Sequence, residues 1–63
     1  MNLGNTIRKA RRAQDLTQER LAEYLNVSVS AVSQWELNKT APDLSLIPPL
    51  CHLLGITLFS ERF

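Results

Sequence analysis

Near the middle of this 63-residue chain, Ser30, Ser33, Gln34 and Leu37 recur at i, i+3, i+4 and i+7, the spacing that lines one face of a helix. Two hydroxyls and a carboxamide on one ridge offer hydrogen-bond donors and acceptors without any charge. Such groups suit recognition of another polar surface, because the Gln34 amide can donate and accept at once and each serine can do either. Catalysis would need more than the chain supplies. Cys51 and His52 are adjacent, so on a helix they diverge by about 100° and cannot converge on one site as an i, i+4 pair does. The chain has a single histidine, no Gly-rich phosphate loop and no acid pair in a recognisable arrangement. No enzymatic activity, metal site or cofactor is expected.

A second cluster is charged. Arg8, Lys9, Arg11 and Arg12 give residues 1–14 a charge of +4 with no acid, while the remainder sums to −3, leaving a net charge of +1. A basic face of this kind can hold a phosphate backbone, and a solvated helix face accounts for it equally well.

Positioning these groups falls to a small fold. Sixty-three residues allow one domain, and 44% apolar with 21% charged residues places the chain among globular sequences. A chain this short buries about 60% of its unfolded surface and draws ~3 to 5 kcal/mol net from its core. Cys51 is the only cysteine and cannot form an internal disulfide, and no Cys/His spacing makes a zinc cage, so helix packing or a partner subunit must supply the stability. The longest apolar run, Leu46 to Cys51, is far short of the about 20 residues a membrane span requires, and it contains two prolines. Around Met1 to Ala13 the basic residues interleave with a helical pattern and do not precede an apolar block, so no signal peptide is read there. These features predict a cytoplasmic protein.

The apolar positions set out the helices. Leu3, Ile7 and Ala10 share one side of a first helix, with Asn2 as N-cap, and Gln14-Asp15-Leu16 interrupts it. Thr17 caps a second helix from Gln18 to about Leu25 with Leu21, Ala22 and Leu25 inward, and Asn26 can end it in a left-handed conformation. After a very short turn, Ser28 or Ser30 caps a third helix that reaches Leu37 or Asn38 and turns Val32 and Trp35 inward. Thr40-Ala41-Pro42-Asp43 reads as a loop, and Pro48 as the first residue of a fourth helix to Leu54, with Leu50, Leu53 and Leu54 apolar and Gly55 as its stop. Thr57 to Phe63 forms a candidate fifth helix. The expectation is an all-α, compact bundle of four to five short helices in a single domain, residues 1–63, without strands, repeats or linkers.

Two short helices joined by a tight turn, the second with a polar outward face, are what a DNA major groove about 12 Å wide accepts. The run Thr17-Gln18-Glu19-Arg20-Leu21-Ala22-Glu23-Tyr24-Leu25-Asn26-Val27-Ser28, with Ala31-Val32-Ser33-Gln34-Trp35-Glu36 and Lys39, resembles the helix-turn-helix of the phage repressor and Cro-type (XRE-like) transcription regulators. The resemblance extends from about Ile7 to Thr57. It implies a lambda repressor-like fold with the helix-turn-helix at about residues 17–38. Base-reading positions then fall on Val29, Ser30, Ser33 and Gln34, and a phosphate contact falls on Gln18. Thr17 at the start of that helix, Arg12, and Asn38, Lys39 and Thr40 after the recognition helix are the other phosphate candidates. The resemblance also implies that Ala22 permits a close helix crossing and that Arg11 and Glu36 form an ion pair linking the first and third helices. Two departures stand out: Asn26 and Asn38 occupy positions where the family usually has Gly, and Phe59-Ser60 follow Thr57-Leu58 where it usually has an acid.

Each candidate also has a plainer reading. The Gln34 amide can pair with N7 and N6 of adenine, a contact worth about 1 to 3 kcal/mol of discrimination, or it is simply an exposed glutamine. Ser30 and Ser33 can serve a base, a phosphate or water, and Val29 a thymine methyl or the edge of the core. The resulting expectation is a sequence-specific double-stranded DNA-binding regulator, a repressor in type, associated with the nucleoid when bound. It would act as a homodimer on a near-palindromic operator, paired through Leu58, Phe59 and Phe63. The alternative is a protein-interaction module of the same fold, antitoxin-like or a partner-binding subunit, docking through its apolar tail.

Overall fold

Polar side chains start the first three helices, as the sequence predicts. In the computed structural model, which describes residues 2–55, Asn2 opens α1 (Leu3–Ala13), Thr17 opens α2 (Gln18–Leu25) and Ser28 opens α3 (Val29–Glu36). The side-chain oxygens of these caps accept from the amides of Asn5 at 2.8 Å, Arg20 at 3.0 Å and Ala31 at 3.1 Å, groups that have no partner inside the helix. Ser28, not Ser30, takes the third cap, and α3 ends at Glu36, short of Leu37 and Asn38.

The same three helices end alike. Asp15, Asn26 and Asn38 have φ of 58°, 59° and 61°. In each case the left-handed residue donates three residues back, and the next amide donates five back: Asn38 to Trp35 at 3.0 Å and Lys39 to Gln34 at 2.9 Å after α3, for example. Short Asx side chains reach this region at a cost that most residues would not bear. The sequence predicts only an interruption at Asp15; the residue makes the same left-handed stop as the two asparagines.

A short 3-10 helix (Leu44–Leu46), absent from the sequence reading, leads into α4 (Ile47–Leu54). The Asp43 carboxylate starts it by accepting from the Ser45 amide at 3.1 Å and hydroxyl at 2.7 Å. As a result α4 begins at Ile47, one residue before the expected start, and Pro48 and Pro49 occupy its first turn, where the missing N–H groups would have had no partner. Gly55, at φ 64°, ends α4 as expected.

The inward stripes meet in one core of Ile7, Leu21, Ala22, Leu25, Val32, Trp35, Leu50 and Leu54, with Leu3, Ala10, Leu16, Val27 and Leu53 packed at its edge. Burying each large side chain contributes about 1.5 to 3 kcal/mol against the entropy of ordering it. Gly4 adds a contact that the periodicity did not signal. It is buried where α1 crosses the end of α3, and a Cβ there would meet the Trp35 carbonyl, the Glu36 carbonyl at 2.7 Å and Asn38 Oδ1 at 2.8 Å.

The described residues are all-helical, and no described helix is long and apolar enough to cross a membrane. The candidate fifth helix and the pairing residues Leu58, Phe59 and Phe63 lie outside the described residues.

Candidate nucleic-acid interface

The site is built on α3, and burial divides that helix by face. Val32 is wholly buried and Trp35 nearly so, whereas Ser30 and Gln34 are exposed, and Val29 and the C-cap Leu37 keep 41% and 60% of their surface. Ser33 is half-buried, at the boundary between the faces. Three of the four candidate base-reading side chains therefore stand clear of the core along one edge of the helix, and the fourth borders it.

A buried polar network fixes the angle at which α3 presents that edge. Arg11 on α1 donates from Nε to Glu36 Oε2 at 2.6 Å and from Nη2 to Oε1 at 3.1 Å, while its Nη1 donates to the Leu16 carbonyl at 2.7 Å. Gln18, the first residue of α2, donates from Nε2 to the same Glu36 Oε1 at 3.0 Å. The Glu36 carboxylate thus ties α1 and α2 to the end of α3, and Arg11 also holds the connection after α1. Burial pushes the Glu36 carboxyl up, but the hydrogen bonds from Arg11 and Gln18 and the positive charges of Arg11 and Arg8 outweigh it, so the group titrates below the ordinary glutamate range. It is ionised at neutral pH. The Arg11 and Glu36 side chains keep only 10% and 3% of their surface, and the forked pairing satisfies both charges away from water.

The phosphate candidates surround this network unevenly. Thr17, Arg12, Asn38, Lys39 and Thr40 are exposed and Gln18 is half-buried. Lys39 and Thr40 follow α3 after Leu37 and Asn38, and Gln18 is joined to it through Glu36. Arg12, in the last turn of α1, makes no side-chain hydrogen bond among the described residues. The Thr17 hydroxyl oxygen accepts the Arg20 amide, which leaves its proton free to donate. The Asn38 side chain reaches in the other direction: Oδ1 accepts from the Gly4 amide at 3.0 Å and Nδ2 donates to Asn2 Oδ1 at 2.8 Å. Arg8 donates to Asn5 Oδ1 on its own helix.

Neutral donors and acceptors on a protruding edge, flanked by cationic and hydroxyl groups, can bind a polar polyanion. They hold no nucleophile paired with a base. Two features of this region are not signalled by the apolar periodicity, the packing of Gly4 and the hydrogen bond from Gln18 to Glu36. Gly4 could have been noticed as an isolated glycine inside a helical pattern, which usually has a packing reason; nothing local signals that Gln18 reaches Glu36.

Residues 7–59 match the family described as Helix-turn-helix. The chain is similar to the SPbeta prophage-derived uncharacterized HTH-type transcriptional regulator YonR of Bacillus subtilis, with 28% identity over 54 residues, 86% of this chain and 50% of that protein. It is 33% identical over 58 residues to the HTH-type transcriptional activator BcrR of Enterococcus faecalis, covering 92% of this chain and 28% of that protein. A similar match, 33% over 58 residues, joins it to Multiprotein-bridging factor 1 of Debaryomyces hansenii, 92% of this chain and 39% of that protein. The chain spans half or less of the length of these relatives.

Proposed function

The chain belongs to the helix-turn-helix family, among the XRE-like DNA-binding transcription regulators, and from that premise we propose that it reads a specific double-stranded sequence through the major groove with the helix around residues 29–38. The observation that carries this reading is the division of α3: Val32 and Trp35 hold it to the core, and Val29, Ser30 and Gln34 remain exposed on its outer side. Gln34 reads adenine through its amide, Ser30 and Ser33 offer hydroxyls, and Val29 packs on a thymine methyl. Arg12, Thr17, Gln18, Lys39 and Thr40 set the register on the phosphates, aided by the free amides in the first turn of α2, whereas the Asn38 amide group, expected from the resemblance to join them, is engaged with Gly4 and Asn2.

Repression follows as the simplest consequence, since occupying a promoter requires only binding. The relative BcrR is named an activator, so recruitment is the competing outcome once a promoter is known. A single module of this size binds weakly, and a two-fold homodimer would set two recognition helices about 34 Å apart on a near-palindromic operator. Leu58, Phe59 and Phe63 are proposed for that interface. Selection from a random duplex pool tests the whole reading: enriched, symmetric half-sites are expected, and no enrichment at low salt would end it. Sedimentation across concentrations, with the selected duplex present, tests the dimer, and a strict monomer refutes it.

A second reading, a protein-docking module, draws on Leu44, Leu37 and Tyr24, which keep 81%, 60% and 56% of their surface exposed. Salt separates the two: DNA binding weakens with a log–log slope near −0.9 per neutralised phosphate, whereas apolar docking barely responds.

A further inference from the structure

Building on the DNA-binding reading, we infer that Asn38 is a positioning residue for the interface: its side chain fastens the loop after α3 to the first turn of α1, so that Lys39 and Thr40 meet the duplex already in place. The backbone turn alone does not call for this residue. At φ 61° glycine would make the same turn with less steric cost, so the amide group has a separate role.

That role is visible in its partners. The Gly4 amide lies in the first turn of α1, where it has no partner inside the helix, and Asn38 Oδ1 accepts it at 3.0 Å. Asn38 Nδ2 donates at 2.8 Å to Asn2 Oδ1, the same atom that accepts the Asn5 amide at 2.8 Å. Two asparagines 36 residues apart thus form one cap, the nearer serving Asn5 and the farther serving Gly4. Gly4 makes the approach possible, because a Cβ there would lie 2.8 Å from Asn38 Oδ1. Asn26 provides the internal control. It makes the same turn after α2 at φ 59°, yet its side chain forms no hydrogen bond among the described residues. The clamp therefore comes from position and not from the turn itself. With the Arg11–Glu36 pair it gives the end of α3 two polar ties to one helix, and the loop it holds carries two of the proposed phosphate contacts. A loop ordered before binding loses less entropy when it binds.

Asn38→Gly tests this, since it keeps the left-handed turn and removes the side-chain clamp. In the free protein, amide exchange at Gly4 should rise by roughly tenfold and NMR order parameters at 39 and 40 should fall while α2 is unchanged. At a temperature where both proteins are fully folded, affinity for the duplex selected by the wild type should fall by roughly tenfold with base preference unaltered. Lys39→Ala should cost about tenfold in the wild type and under about threefold in Asn38→Gly, because an unfastened loop has less to lose. Affinity within about twofold of wild type, or equal Lys39→Ala losses in both backgrounds, would overturn the inference. If the wild type binds no duplex, the DNA reading falls, and the relaxation data then decide the clamp on their own: unchanged order at 39 and 40 refutes it.

Discussion

Trp35 and Gln34 are neighbours in sequence, yet they belong to different regions of the molecule. Trp35 retains 5% of its surface, within a core that reaches α1 and α4, while Gln34 is exposed on the far side of the same helix. One helix of eight residues therefore carries both a core face and the proposed recognition face, with successive residues turned by about 100°. Because the faces share few partners, substitutions on one should leave the property of the other almost untouched. The boundary is where that separation is weakest, at half-buried Ser33 and at Glu36, whose carboxylate lies in the interior but holds Gln18 at the proposed interface.

The largest effect expected is on the inner face. Trp35→Ala should cost about 3 to 5 kcal/mol through the cavity it leaves, most of what so small a core supplies, and circular dichroism should show an unfolded chain at room temperature. A folded variant would mean that the two faces differ less than their burial implies. Glu36→Ala leaves the Arg11 charge buried without its partner and should cost about 3 kcal/mol or slightly more, read as a fall in the urea midpoint. The same carboxylate should also set the acid limit of the fold. Its pKa is lowered on folding, so its contribution is complete above the unfolded value and is lost as pH falls through the folded one. The melting temperature should therefore drop more steeply below pH 4.5, the ordinary value for glutamate, in the wild type than in Glu36→Gln.

Gly4→Ala comes next. The added methyl has no room beside the α3 carbonyls, and about 1 to 3 kcal/mol should be lost as α1 shifts, measurable by thermal melting. The smallest change in stability belongs to the outer face: Gln34→Ala should stay within about 0.5 kcal/mol of wild type. It should, however, relax base preference at one operator position by about 1 to 3 kcal/mol, and selection with the variant would show this. A large loss of stability there, or an unchanged preference, would erase the distinction between the faces.

Much of this organisation is legible in the chain. The caps at Asn2, Thr17 and Ser28, the stops at Asn26 and Gly55, and the inward stripes of the four helices all arise from interactions within a few residues, so residue type and spacing specify them. The Arg11–Glu36 pairing came from the family resemblance and not from any local pattern, since the two residues are 25 apart. The 3-10 turn at Leu44–Leu46 is not legible in the chain because a single Asp43-to-Ser45 cap has no periodicity to reveal it. Residue type at Asp15 signals a break but not its handedness, since the left-handed turn is made by bonds back to Arg11 and Arg12 that residue type only weakly favours.

By itself the sequence determined where helices begin and end and which side of each is apolar, because hydrogen bonds to free amides and the 3.6-residue repeat act over short stretches of chain. Only the tertiary structure decided that Gly4 meets the last carbonyls of α3, that Asn38 caps a helix begun 36 residues earlier, and that Gln18 is held by Glu36. Those contacts depend on how helices cross, and the crossing is settled by the packing of all the buried side chains together.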